Sequence, residues 1–144
     1  GGVKMANCVI GDPPVFSEEI VKWDKQTDAD GQAMGQVIEQ LLNNTVYNKQ
    51  AAERAKSYVD VTFSAAGWIG ETAPYTQSVA AEGLTEEDTP TPSFVDDGTD
   101  EDDSKDRQEA YGCITYFDSG DGTVTATCKY KKPESDCTVR LKGV

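Results

Sequence analysis

Apolar residues along the chain keep two different periods, and the change falls near residue 58. Between about Gly31 and Ser57 they recur at helical spacing, with Met34, Ile38 and Leu41 separated by four and then three positions. Continuing that register reaches Thr45, Asn48, Ala52 and Ala55, an alternating heptad seam that fades from bulky to polar to small. Val37, Leu42 and Val46 lie beside the seam and broaden its N-terminal end. Asp28-Ala29-Asp30-Gly31 offers N-cap residues ahead of it. The pattern predicts one helix of about four heptads, roughly 40 Å long at 1.5 Å per residue. One reading packs this amphipathic helix on its own domain. The preferred one is a parallel coiled coil, in which Asn or Thr at core positions sets register and oligomer state. So long a helix outweighs the apolar surface that the rest of the chain offers it.

From Tyr58 the period becomes two. Val59, Val61 and Phe63 share one face of a strand over Tyr58–Ser64, which Ala65-Ala66-Gly67 ends. Pro74 opens a second strand, Tyr75–Ala80, and Glu82-Gly83-Leu84 turns the chain. Thr85–Pro92 is too acidic and proline-rich for regular structure, and Ser93–Val95 reads as a short strand. Asp96–Asp106 reads as a solvated acidic run, with Asp103 or Ser104 capping a helical turn through Arg107, Glu109, Ala110 and Tyr111. Cys113–Phe117 is β-prone, Asp118–Gly122 is a hairpin turn, and Thr123–Tyr130 alternates. A turn containing Pro133 leads to a last alternating stretch, Cys137–Val144. Ahead of the helix, Asp12-Pro13-Pro14 blocks helix entry. Ser17 could cap a short turn over Glu18–Trp23, and the same residues also suit a strand. The expected class is α+β: an N-terminal segment with a long helix over 1–57, then a small, sandwich-like antiparallel β module over 58–144.

Composition narrows the function. The chain has 144 residues, 37% hydrophobic, with a net charge of -13 from 26 acidic and 13 basic residues. Its mean hydropathy of -0.57 is lean for one compact globule of this size. An elongated shape, or one completed by other copies, suits it better. The acidic balance argues against nucleic acid as a partner, since phosphate contacts need clustered Lys and Arg. It argues equally against anionic membranes, and no run of 18 apolar residues would cross one. The N-terminal GGVKMANCVIG has one Lys and too short an apolar stretch for a signal peptide, and Gly1-Gly2 is set aside as a scar or processed end.

The candidate chemistry is sparse. There is no histidine, so a nucleophilic triad or a Cys–His pair lacks its proton acceptor, and no Gly-rich phosphate loop occurs. Cys8, Cys113, Cys128 and Cys137 lack zinc-site spacing and read as free thiols of a reducing cytosol, the alternative being a Cys128–Cys137 bridge across a hairpin. Asp96–Asp102 and Asp118–Asp121 are carboxylate-rich, yet neither follows the ligand spacing of an EF-hand loop. Exposed carboxylates also make a poor glycosidase pair, because burial is what raises one pKa above its neighbour. The expectation is no enzyme, no cofactor and no metal. Trp23, Trp68 and Tyr75 suit a core or subunit contact better than a carbohydrate-stacking platform. Asn43-Asn44-Thr45 matches a glycosylation sequon by chance, on a cytosolic helix.

One block carries a resemblance. Trp68, then Ala73-Pro74-Tyr75-Thr76-Gln77-Ser78-Val79, then Gly83-Leu84 and Thr89-Pro90, is similar to a module of tail-associated structural proteins in phages and prophages of Gram-positive gut bacteria. The likeness continues through Ala110-Tyr111, Ile114-Thr115 and a closing Val139–Val144, covering about residues 58–144. More loosely, Ile38–Thr45 resembles the helical segments ahead of such modules in tail fibres and baseplates. The resemblance implies a virion protein made in the host cytoplasm and homo-oligomeric, with a trimer favoured. It implies other tail proteins as partners, and leaves open whether the β module meets one of them, a host surface glycan or only itself. It transfers no catalytic residue, and the lengthened acidic insert at Asp96–Asp106 departs from the pattern. On this reading Met34, Ile38, Leu41, Thr45, Asn48, Ala52 and Ala55 form the oligomer interface, and Trp68 and Tyr75 anchor the β module.

Overall fold

The computed structural model describes residues 7–22 and 31–144. Its chain divides into two compact units, Gly1–Glu53 and Arg54–Val144. It is an α+β protein with a long N-terminal helix and two small antiparallel sheets.

Helix α1 runs over Gly31–Lys56, ending one residue short of the expected Ser57. The proposed caps at Asp28 and Asp30, and Trp23, lie outside the described residues. Between Ser17 and Lys22 the chain takes no helical turn. Instead both main-chain groups of Ser17 bond the Asn44 side chain of α1, a long-range alternative that local capping signals do not reveal.

In the second unit, β1 (Tyr58–Phe63), β6 (Cys137–Lys142) and β3 (Thr91–Val95) form one sheet in that order. β2 (Tyr75–Ala80), β5 (Thr123–Cys128) and β4 (Tyr116–Gly120) form the other. The last strand is thus the centre of the first sheet, pairing Tyr58 with Lys142 on one side and Thr91 with Lys142 on the other. Alternation gives each strand one apolar face. Val61 and Phe63 of β1, Cys137, Val139 and Leu141 of β6, and Val124, Ala126 and Cys128 of β5 meet in one core. The Phe63 ring reaches Phe117 of β4, with centroids 5.9 Å apart.

Five expectations need correction. The acidic run is not simply solvated: it winds into α2, Glu101–Cys113, a 13-residue helix rather than a turn. Its N-cap is Asp100, not Asp103 or Ser104, and the Asp100 side chain accepts from the main-chain N–H of Asp102 and Asp103. Three acids in the first turn face the positive end of the helix dipole, so the run favours a helix start where composition alone suggested solvent. Cys113 accordingly ends a helix, and the strand β4 starts only at Tyr116. The hairpin turn is also shorter than Asp118–Gly122, since β4 extends to Gly120 and Asp121-Gly122 make the connection. Gly122, at φ +66°, supplies the left-handed backbone that such a two-residue turn needs. Finally, β3 takes in Thr91 and Pro92, which pair with β6 at the sheet's edge, where a missing N–H is tolerated.

Candidate functional site

The candidate site is α1 together with the segment before it. Three amide side chains, from Gln40, Asn43 and Asn44, read the main chain of residues 9–17. Gly11 N donates to Asn43 Oδ1 at 2.9 Å, and Asn43 Nδ2 donates to Val9 O at 3.3 Å and to Glu39 O at 2.8 Å. Asn44 holds both main-chain groups of Ser17: Ser17 N donates to its Oδ1 at 2.9 Å, and its Nδ2 donates to Ser17 O at 2.8 Å. Gln40 Nε2 donates to Val15 O at 3.2 Å and to Asn44 Oδ1 at 2.8 Å. The Phe16 ring lies 5.5 Å from that of Tyr47. An irregular segment thereby satisfies part of its backbone without a sheet partner.

This clasp leaves the seam bare. At about 100° per residue, the seven seam positions fall within roughly 60° of Met34, whereas Asn43 lies roughly opposite and Gln40 and Asn44 lie on one flank, roughly 120° and 80° away. Met34, Ile38, Leu41, Thr45, Asn48, Ala52 and Ala55 are all exposed. The three bulky ones show 41%, 52% and 50% of their surface. Beside the arc, Val37 on one flank and Leu42 on the other are half-buried. Thr45 donates its hydroxyl to Leu41 O at 2.8 Å, which satisfies it within the helix and leaves its methyl for the arc. None of the seven seam positions is charged; of the charges α1 carries, Glu39, Glu53 and Arg54 lie away from the arc, and Lys49 and Lys56 border it on the Leu42 side.

In the β module, Trp68 is 4% exposed and stacks on Phe63 with centroids 6.0 Å apart. Tyr75 is half-buried against the same core. The buried Gln77 amide pairs with the main chain of Ser64, donating to its O at 3.1 Å and accepting from its N at 3.2 Å. Gly67 is needed there, because a Cβ would sit 2.0 Å from the end of the Gln77 amide. Trp68 thus cannot serve as an exposed sugar platform; the most exposed ring of the module is Tyr130 (84%), which sequence reasoning did not single out. It borders an open groove lined by Glu109, Cys113, Thr115 and Lys131.

The module's electrostatics are those of a surface. Arg140 grips Asp60 with two bonds, of 2.8 and 2.7 Å, and lies 4.1 Å over the Tyr58 ring. Hydrogen bonding from Arg140 holds the Asp60 carboxyl below its ordinary range, and the Thr85 and Thr99 main-chain N–H groups do the same for Asp88 and Asp103. Burial pushes the Cys128 thiol up to about 12 and the Cys137 thiol up to about 11. Both are free thiols, as are Cys8 and Cys113, and burial makes the first two poor nucleophiles. Among the described residues no group of three or more Cys, Asp or Glu is placed to hold a metal ion. No helix among them is long and apolar enough to cross a membrane.

No protein-family model, no curated protein and no solved structure matches the chain.

Proposed function

We propose that this chain is a non-enzymatic structural protein that homo-oligomerises through α1 and displays its β module for assembly or attachment. In this reading α1 forms a parallel coiled coil, with a trimer favoured, and the two sheets act as a sandwich-like module. The observation that carries it is the seam: seven exposed, uncharged positions along one arc of the helix, left open by a clasp that occupies one flank and the back. An apolar arc of this kind is stabilised by covering it, and the heptad spacing suits another copy of the same helix. The resemblance of the Trp68–Val79 block to tail modules of phages and prophages makes a tail fibre or baseplate component the preferred setting. Its β module there meets another tail protein, a host surface glycan or only its own copies, and the protein belongs to the virion.

Sedimentation of the full chain tests this at tens of micromolar. The wild type is expected to be oligomeric, and Ile38→Asp or Leu41→Asp monomeric, because each puts a carboxylate into a core unable to solvate it. A monomeric wild type would remove the coiled coil. Mass spectrometry of purified particles from the source strain tests the tail assignment separately. The alternative reading, a carbohydrate-binding module, draws on Tyr130 above its groove; glycan binding by a monomeric chain, lost in Tyr130→Ala, would favour it.

A further inference from the structure

We infer that the N-terminal segment is part of the oligomer interface, forming beside the seam a socket for Leu42 of the adjoining copy. This deepens the oligomer reading and rests on it. A groove of about 190 Å³ runs between the segment and α1, with apolar walls from Ile20, Val21, Ala33 and Val37. Ile20 is 37% exposed and Val21 72% exposed, so neither finds enough cover within its own copy. Gln40, on the groove's polar side, is already held by Val15 O and Asn44 Oδ1, which leaves the apolar walls to be filled.

Register supplies the occupant. If Ile38, Thr45 and Ala52 hold the first core position of each heptad, Met34, Leu41, Asn48 and Ala55 hold the second. Val37 then directly precedes a core position, and Leu42 directly follows one. In a parallel coiled coil these two flanks meet between copies, a residue of the first kind facing the residue five places further along in its neighbour. Five places beyond Val37 is Leu42. Flanking positions of this kind commonly carry charge, and here both are apolar. The other flank of each copy is therefore shaped for the groove of the next.

The size of the seam points the same way. Specific interfaces bury on the order of 1,200 Å² or more. Beyond Met34, Ile38 and Leu41 the seam offers only Thr45, Asn48, Ala52 and Ala55. Adding Val37, Leu42, Ile20 and Val21 more than doubles the bulky apolar side chains at the same end. The clasp gives this geometry its precision, since Asn44 fixes Ser17 by both main-chain groups only two residues before Glu19 enters the groove.

The test compares self-association of the full chain by sedimentation velocity over a concentration series. The variants are Ile20→Ser/Val21→Ser, Leu42→Ser, all three together, and Ile38→Asp, with helix content checked by circular dichroism. The Ile20/Val21 pair and Leu42→Ser are each expected to weaken association tenfold or more. The triple variant is expected to be far less affected than the product of the two, because both changes remove one contact. Should the serines alter helix content, the near-isosteric Val21→Thr replaces them and is expected to weaken association with the dichroism unchanged. If the Ile20/Val21 variant associates like wild type while Ile38→Asp is monomeric, the socket is wrong and the seam stands. Fully multiplicative effects would also overturn the socket, and a monomeric wild type would remove socket and seam together.

Discussion

Removing the Trp68 ring is the sharpest test of how the β module is held together. The ring is 4% exposed, stacks on Phe63, and belongs to the core shared by both sheets. A side chain of this kind buries about 150–250 Å², worth roughly 4–6 kcal/mol at about 25 cal/mol per Å². Alanine keeps part of that burial, and a compact denatured chain never exposes all of it. Trp68→Ala should therefore cost about 3–5 kcal/mol, the range usual for an aromatic ring deleted from a core. A unit spanning Arg54–Val144 has a total stability of about 5–14 kcal/mol at typical values per residue. The loss is thus a large share of the whole. At about 4–8 °C per kcal/mol, the calorimetric midpoint of the module should fall by about 12 °C or more. Calorimetry suits the assay, because it does not depend on the fluorophore being deleted. A midpoint within about 3 °C of wild type would refute the reasoning and return Trp68 to the surface as a binding residue.

Gly67→Ala should also destabilise the module, by displacing the Gln77 amide that would lie 2.0 Å from the new Cβ; chemical denaturation measures it, and Gln77→Ala should relieve the clash. Asp60, Asp88 and Asp103 are held below the ordinary 3.8, so their native values lie under the unfolded ones. They contribute stability above about pH 4–5, and that contribution fades as pH falls through 3.8 toward the native values; Asp60→Asn should flatten the acid limb of a stability–pH curve. Iodoacetamide at pH 8 should label Cys8 fastest and Cys113 slowly, sparing Cys128 and Cys137, whose thiols sit at about 12 and 11, until the protein unfolds; mass spectrometry reads the sites. Self-association should tighten as salt rises from about 10 to 150 mM, since copies that each carry -13 repel one another until screened; weakening with salt would point to an ionic interface instead.

The parts legible in the sequence were those set by local periodicity. The alternation of Val59, Val61 and Phe63 located β1, and the spacing of Met34, Ile38 and Leu41 located α1 to within a residue of its C-terminal end. Sheet partners were not legible, because nothing local says that β6 pairs with both β1 and β3 across long stretches of chain. α2 was underestimated because an acidic run looks solvated until it is placed at a helix start, where the dipole and the Asp100 cap favour it. The clasp was missed altogether. Asn43 and Asn44 registered only as part of a chance sequon and, with Gln40, of a loose resemblance, although three amide side chains within five residues, beside and behind an apolar arc, were a usable signal.

That omission bears on how the assembly would be specified. Amide side chains satisfy a passing main chain without adding charge, so the back of α1 can be covered while the helix stays nearly neutral. A charged back face would instead repel its equivalents in a bundle of like helices. Covering the back by hydrogen bonds to main-chain groups also places few demands on the side chains of the segment. Val9, Ile10, Val15 and Val21 are thus left exposed rather than spent on holding the clasp closed. In an isolated copy those side chains raise the cost of remaining solvated. In an oligomer those nearest the seam, Ile20 and Val21, are the ones its neighbour can cover. The polar clasp and the apolar seam are then two halves of one device. The first fixes which arc of the helix stays open, and the second determines what can close over it.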